Sequence, residues 1–288
     1  MSTNTITPDS TVPTVPSRSQ RNAVSFNGKQ TLMRAIRAEW AKMATLMSTW
    51  ITSVIAIALT AGLGAAIVIM TANEPELAEG ASSNIIVAVQ FGQVVVAVLG
   101  ALAITGEYSL GQIRSSLAAV PKRSRLFFAK AVVVVGFGFV LGFVSMFVAW
   151  TIAAIFVGNK AGSLTDLEFL GYFWGTGLTY AGTALLALAF GFLLRSTAGA
   201  ITTIMTLLFV VSIPLSLMGI KWEWMYKVRA FEPLNLASSV YDPFETMMEW
   251  GVADTTQFLT HTQAVLGFVG WSVIPLAIAW VVFSKRDA

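Results

Sequence analysis

Six long runs of this chain contain no Asp, Glu, Lys or Arg: 43–73, 80–106, 131–159, 169–194, 196–220 and 255–284. A helix needs about 20 mostly apolar residues to cross a bilayer core, and every run is long enough. Each is apolar around its whole circumference, which a surface helix of a soluble protein is not. Lipid offers no partner to free backbone groups, so helix is the expected state. The alternating segments of about ten residues that build a membrane β-barrel are missing. The pattern predicts spans at about 48–71, 84–105, 131–158, 169–194, 199–220 and 258–284. Only Arg195 separates the fourth and fifth runs. One helix through both would be far longer than a bilayer, so Arg195-Ser-Thr-Ala-Gly199 is expected to turn a tight helical hairpin.

Composition supports an all-α integral membrane protein. The 288 residues are 56% hydrophobic and 11% charged, where a soluble domain carries about 25% charged residues. Mean hydropathy is +0.73. So few charges cannot coat a soluble monomer of this size. Soluble enzyme and nucleic-acid-binding domain are thereby excluded. Cysteine is absent and His261 is the single histidine, which removes disulfides, thiolate metal sites and a Cys nucleophile. No metal site is expected.

The net charge of +3 is unevenly spread. With both termini on one side, that side carries 14 Lys and Arg, and the other carries four: Lys160, Lys221, Lys227 and Arg229. Counting acids too, the two sides hold +10 and −7. The positive-inside rule then predicts cytoplasmic termini. Residues 1–28 are rich in Ser, Thr and Pro, lack the apolar core of a signal peptide, and are expected to form a disordered cytoplasmic tail. Residues 29–288 form the membrane domain.

Three segments outside the spans are informative. In 29–43, Leu32, Met33, Ile36, Trp40 and Met43 share an arc of about 100°, opposite Arg34, Arg37 and Lys42. That predicts an amphipathic helix lying along the inner leaflet. In 106–130, Gly106 can break span two and Ser109 can cap a short helix. Leu110, Ile113 and Leu117 then recur at helical spacing, and Pro121 stops the helix before Lys122, Arg123, Arg125 and Lys130. Periodicity alone leaves two readings of this loop open, a docking lever and a plain basic anchor. The third segment, 221–254, is aromatic, with Trp222, Trp224, Tyr226, Phe231, Tyr241, Phe244 and Trp250. It reads either as an interfacial aromatic belt or as a cap or re-entrant helices over an exit.

These segments resemble one family. Arg37-Ala-Glu-Trp-Ala-Lys42, Ile104-Thr-Gly-Glu-Tyr-Ser-Leu-Gly111, Ser116-Leu-Ala-Ala-Val-Pro-Lys-Arg123 with Lys130 beyond, Leu194-Arg-Ser-Thr-Ala-Gly199 and Lys285-Arg-Asp-Ala288 occur in order. From residue 33 onward the chain is similar to the membrane-spanning permease subunits of ATP-binding-cassette exporters of the second, six-span type, especially actinobacterial ones. Each motif alone is loose, and their order carries the likeness. The resemblance implies a bacterial plasma-membrane permease that pairs with a second permease chain, as homodimer or heterodimer, and with an ATPase subunit. It implies that 29–43, with Arg37, Glu39, Trp40 and Lys42, is the family's interfacial helix. It also implies that the loop with Glu107, Gly111, Arg114, Pro121, Lys122, Arg123, Arg125 and Lys130 contains its coupling helix. Glu107 would then pair with basic residues of the docking surface. Arg114, Lys122, Arg123 and Arg125 would meet the ATPase or anionic lipid.

No G-x-x-x-x-G-K-[ST] phosphate loop occurs, so ATP and Mg are expected on the partner ATPase and the chain itself is not expected to be an enzyme. The alternative is a channel or a secondary carrier without an ATPase. Ion-coupled carriers usually place ionisable side chains inside spans, and the six runs have none. His261 reads as an interfacial hydrogen-bonding residue. Polar residues within spans, Gln90 and Gln93 on span two and Thr202, Thr203 and Thr206 on span five, are candidates for a substrate path. The plainer reading of them is interhelical hydrogen bonding. A lipophilic or amphipathic substrate fits such apolar spans better than a sugar. Gly138-x-x-x-Gly142 and Gly171-x-x-x-Gly175 predict close helix packing, and Pro214 and Pro275 predict kinks in spans five and six.

Overall fold

Thr31 starts the first helix as its cap, its side chain accepting from the Arg34 N–H. The computed structural model describes residues 31–285 except 75, 79, 223 and 244–258. The expected tail 1–28 lies outside the described residues, as do residue 258 and parts of the 221–254 segment. All the described residues belong to one unit, Thr31–Ala288.

The described residues form helices and no strand. Helix α1 (Leu32–Thr45) ends at the extended Leu46, and α2 (Met47–Asn73) follows at once. A 3-10 stretch, Ala81–Ala88, leads into α3 (Val89–Ser109). Gly111, at φ +66°, turns the chain into the short α4 (Ile113–Ala119). Then come α5 (Arg123–Val157) and α6 (Leu167–Leu194). Span five is α7 (Thr197–Met205), a π-helical turn (Thr206–Val210) and α8 (Ser212–Gly219). Helices α9 (Trp224–Ala230) and α10 (Pro233–Tyr241) precede α11 (His261–Lys285). Six of these stretches are long and apolar enough to cross a membrane, so the chain is an all-helical, multi-pass membrane protein.

Helix α6 is the centre: 72% of its most apolar stretch is buried, against 11% for span five. Glycines let its neighbours approach. A Cβ at Gly142 would lie 2.9 Å from the Gly177 Cα, and one at Gly138 would press on Ala181, so the predicted small-residue face of span three packs on span four. The hairpin at Arg195 is present. Arg195 takes a left-handed φ of +52°, and Ser196 caps α7 by accepting from the Gly199 N–H. In span five the Val211 N–H reaches Thr206 O at 2.9 Å, a π-type bond three residues before Pro214.

Three boundaries differ from the sequence reading. Span three starts at Arg123 rather than 131, so Arg123, Arg125 and Lys130 sit on its first turns and not in a loop. Lys130 is buried and neutralised there, so its charge does not mark a membrane boundary. Helix α3 runs through Gly106 to Ser109, because glycine costs only about 1 kcal/mol inside a helix. Ser109 does not cap α4: its hydroxyl donates back to Gly106 O, and Gln112 stands at the N-cap position without a side-chain capping bond. The face of α1 packed on the protein carries Ala35, Glu39 and Met43, while Leu32, Met33 and Trp40 are exposed. The packed face is therefore rotated from the purely apolar arc toward Glu39.

Helix α10 is buried nearly all round and lies beside α6 and α11. It touches α6 at Gly175 and Thr179, about 12–18 Å along that helix from its start at a rise of 1.5 Å per residue. The segment after span five thus folds back alongside the spans. Its aromatics divide: Tyr241 is fully buried, while Trp222, Trp224 and Phe231 are exposed. Phe244 and Trp250 lie outside the described residues.

Candidate functional site

Four ionisable side chains that sequence scatters over 91 residues meet at one end of the bundle. Glu39 and Lys42 come from α1, one helical turn apart on its packed face. Glu107 comes from the last turn of α3, and Lys130 from the third turn of α5. Lys130 Nζ lies 2.6 Å from Glu39 Oε2, also donates to Glu107 Oε1, and is 3.4 Å from Ala103 O. Lys42 donates to Glu107 Oε1 as well, and lies 3.3 Å from Ser116 Oγ of α4. Ser116 in turn donates to Glu107 Oε2 at 3.2 Å. The side chains of Lys130, Glu107 and Glu39 are 3%, 5% and 10% exposed, and that of Lys42 is 33% exposed.

Two acids and two bases balance. A lone charge in this setting would cost several kcal/mol, and pairing with hydrogen bonds offsets that penalty. The network joins α1, α3, α4 and α5 through one carboxylate, Glu107. Helix α4 is held further by buried Ile113 and by Leu117 packed on the core. Its other face exposes Arg114.

The same end gathers three more elements. Arg123 Nη1 donates to Phe283 O at 3.1 Å, capping the last turn of α11. The Arg195 guanidinium lies 5.3 Å from the centre of the Tyr108 ring. Thr197 Oγ1 donates to Thr105 Oγ1 at 2.9 Å. At the opposite end, Lys160 donates to Ala72 O at the close of α2.

The residues singled out from sequence are therefore distributed as follows. Glu107 does not face outward toward a docking surface; its carboxylate is turned inward and shared by three donors. Lys130 is its buried partner. Arg123 spends its guanidinium on the end of span six. Gly111 supplies the left-handed turn before α4. Arg114, Pro121 and Lys122 are exposed, and Arg125 is half-buried. On α1, Arg37 and Trp40 are exposed, and Trp40 stacks obliquely near Phe137.

The substrate-path candidates do not come together within the chain. Gln93 is buried and donates to Thr183, and Gln90 donates to the Tyr241 hydroxyl at 3.2 Å. Thr202 and Thr206 lie on the exposed face of span five and Thr203 is half-buried. The inward row of span five is Ala200, Ile204 and Leu208, one helical turn apart. Sequence reading missed the polar partners on span four. Thr176, Thr179, Tyr180 and Thr183 are all fully buried, and Tyr180 hydrogen-bonds Thr60. Their spacing of three and four on one helical face was the available signal.

A buried acid outside this network, Glu232, flanks α10. Ser212 of span five donates to its Oε1, while Oε2 is buried without a protein partner. Burial pushes this carboxyl above the usual range, against the smaller opposing pull of the Ser212 hydrogen bond and the Arg229 charge. His261 is exposed at the start of α11.

Compared with known proteins, the chain matches no family model and no curated protein.

Proposed function

We propose that this chain is the transmembrane permease subunit of an ATP-driven exporter in a bacterial plasma membrane. The end carrying α1 and α4 faces the cytoplasm, together with both termini. Two permease chains pair, and a separate ATPase subunit binds ATP and Mg and docks on α4. The substrate is lipophilic or amphipathic. The observation that carries this reading is Glu107: it ties Ser116 of α4 and Lys42 of α1 to the ends of spans two and three. A push on α4 then reaches two spans and the α1 helix at once. An energy-driven transporter needs two packings of its bundle that a nucleotide state can bias, and this link supplies the means of biasing them.

The test is purification of the tagged native complex. A nucleotide-binding subunit should copurify, and charge reversal at exposed Arg114 should weaken transport-coupled ATP hydrolysis while the protein still inserts. Recovery of the permease alone, from gently solubilised membranes, would sink the reading. The alternative of a secondary carrier draws support from Glu232, a buried carboxyl beside span five. It predicts uptake or efflux in ATP-free vesicles that responds to a pH gradient and is lost in Glu232→Gln.

A further inference from the structure

A cavity of about 240 Å³ opens between α1, the start of α2 and the end of α3. Met43, Leu46, Leu99 and Leu102 form its apolar wall, and Glu39, Lys42 and Glu107 its charged one. Its volume equals about eight water molecules at ~30 Å³ each, but most of its lining offers water no hydrogen bond.

The two lysines of the network differ in what they have left to give. An ammonium carries three donors. Lys130 uses all three, on Glu39, Glu107 and Ala103 O. Lys42 uses two, on Glu107 and Ser116, and its side chain is one-third exposed. One N–H of Lys42 is thus left without a protein partner in a residue that lines the cavity. The carboxylates beside it are already satisfied by lysines, so the accessible charge is positive.

We propose that the cavity is a binding site for an anionic phospholipid of the inner leaflet. Its phosphate sits on Lys42, and one acyl chain lies along Leu46, Leu99 and Leu102. The apolar wall fits a hydrocarbon chain, and the spare donor fits a phosphate oxygen. The cytoplasmic leaflet supplies such lipids. This proposal rests on the orientation given above and not on the ATPase.

The experiment uses the full-length permease alone, delipidated in mild detergent and titrated with phosphatidylglycerol or phosphatidylcholine. Retained lipids are counted by native mass spectrometry. One phosphatidylglycerol should be held about fivefold more tightly than phosphatidylcholine, the preference that one nearby lysine supports. Thr52→Trp and Leu102→Trp, which fill the cavity from α2 and from α3, should each abolish that retention without lowering the unfolding temperature of the lipid-free protein. Lys42→Arg should keep the preference. Equal retention of the two lipids overturns the proposal. So does a phosphatidylglycerol preference that survives in both filled variants, because it would then come from the exposed basic surface. Two filling variants on different helices keep the test decisive if one of them misfolds.

Discussion

Lys130 and Glu39 lie 91 residues apart in the chain and 2.6 Å apart at their charged atoms, both almost fully buried. This contact fixes the α1 helix to span three. Its second bond, to Glu107, makes Lys130 the only cation, among the described residues, that the two acids of this network share.

Removing that cation should therefore be severe. Lys130→Met leaves Glu39 unpaired and Glu107 with Lys42 as its one remaining cation, beside the Ser116 hydroxyl. Breaking a buried pair from one side costs roughly 3–5 kcal/mol. A clear fall in unfolding temperature in detergent is expected. The double variant Glu39→Gln, Lys130→Met restores one acid to one base and should recover part of the loss. A positive coupling in that cycle measures the link directly. A Lys130→Met protein as stable as the parent would mean that the network is not formed.

Arg123 makes a different kind of contact, to the backbone of Phe283 and Ser284. A cation at a helix C-terminus contributes about 0.3–1 kcal/mol. Arg123→Gln should barely change global stability. Hydrogen exchange should speed up over residues 281–285 and stay unchanged in α4. Faster exchange in α4 with an unchanged α11 would assign Arg123 to the loop instead.

Glu232 predicts a pH effect with a definite sign. Its folded pKa is raised by burial, so the folded state holds its proton more tightly than the unfolded state. Stability from this group falls as pH rises above the usual carboxylate value of about 4.5 and levels off above the folded pKa. Glu232→Gln keeps an acceptor for Ser212 and removes the ionisation. The variant should unfold at a higher temperature than the parent at neutral pH, and the gap should close in acid. A gap that stays constant from acid to neutral pH would rule this out.

Much of this architecture is legible in sequence, and the reason is physical. A bilayer demands long apolar helices, so runs such as 169–194 announce themselves, and Arg195-Ser-Thr-Ala-Gly199 announces the hairpin. The errors fall where charges are paired. Lys130 reads as a boundary because sequence shows its charge and not its two carboxylates. Glu107 reads as outward-facing for the same reason. Glu39 lies outside the apolar arc of α1, so periodicity turns the helix away from its true packed face. Tyr241 and Gln90 are 151 residues apart, and nothing local says that the segment after span five reaches back beside span two.

That last contact depends on a close approach that can be broken selectively. A Cβ at Gly175 of span four would lie 2.7 Å from the Tyr241 Cα and would crowd the Val240 carbonyl. Both are backbone atoms of α10 and cannot rotate aside. Gly175→Val should therefore push α10 off span four, at the roughly 1–3 kcal/mol typical of overpacking. The Gln90–Tyr241 hydrogen bond should be lost with it. Amides of 236–241 should exchange faster, while those of α3 and α5 keep their protection. Gly62→Val on α2 is the control, because a Cβ there meets nothing within 4 Å. Unchanged exchange over α10 in Gly175→Val would show that this helix does not lie against span four. Its burial, and that of Tyr241, would then need another partner.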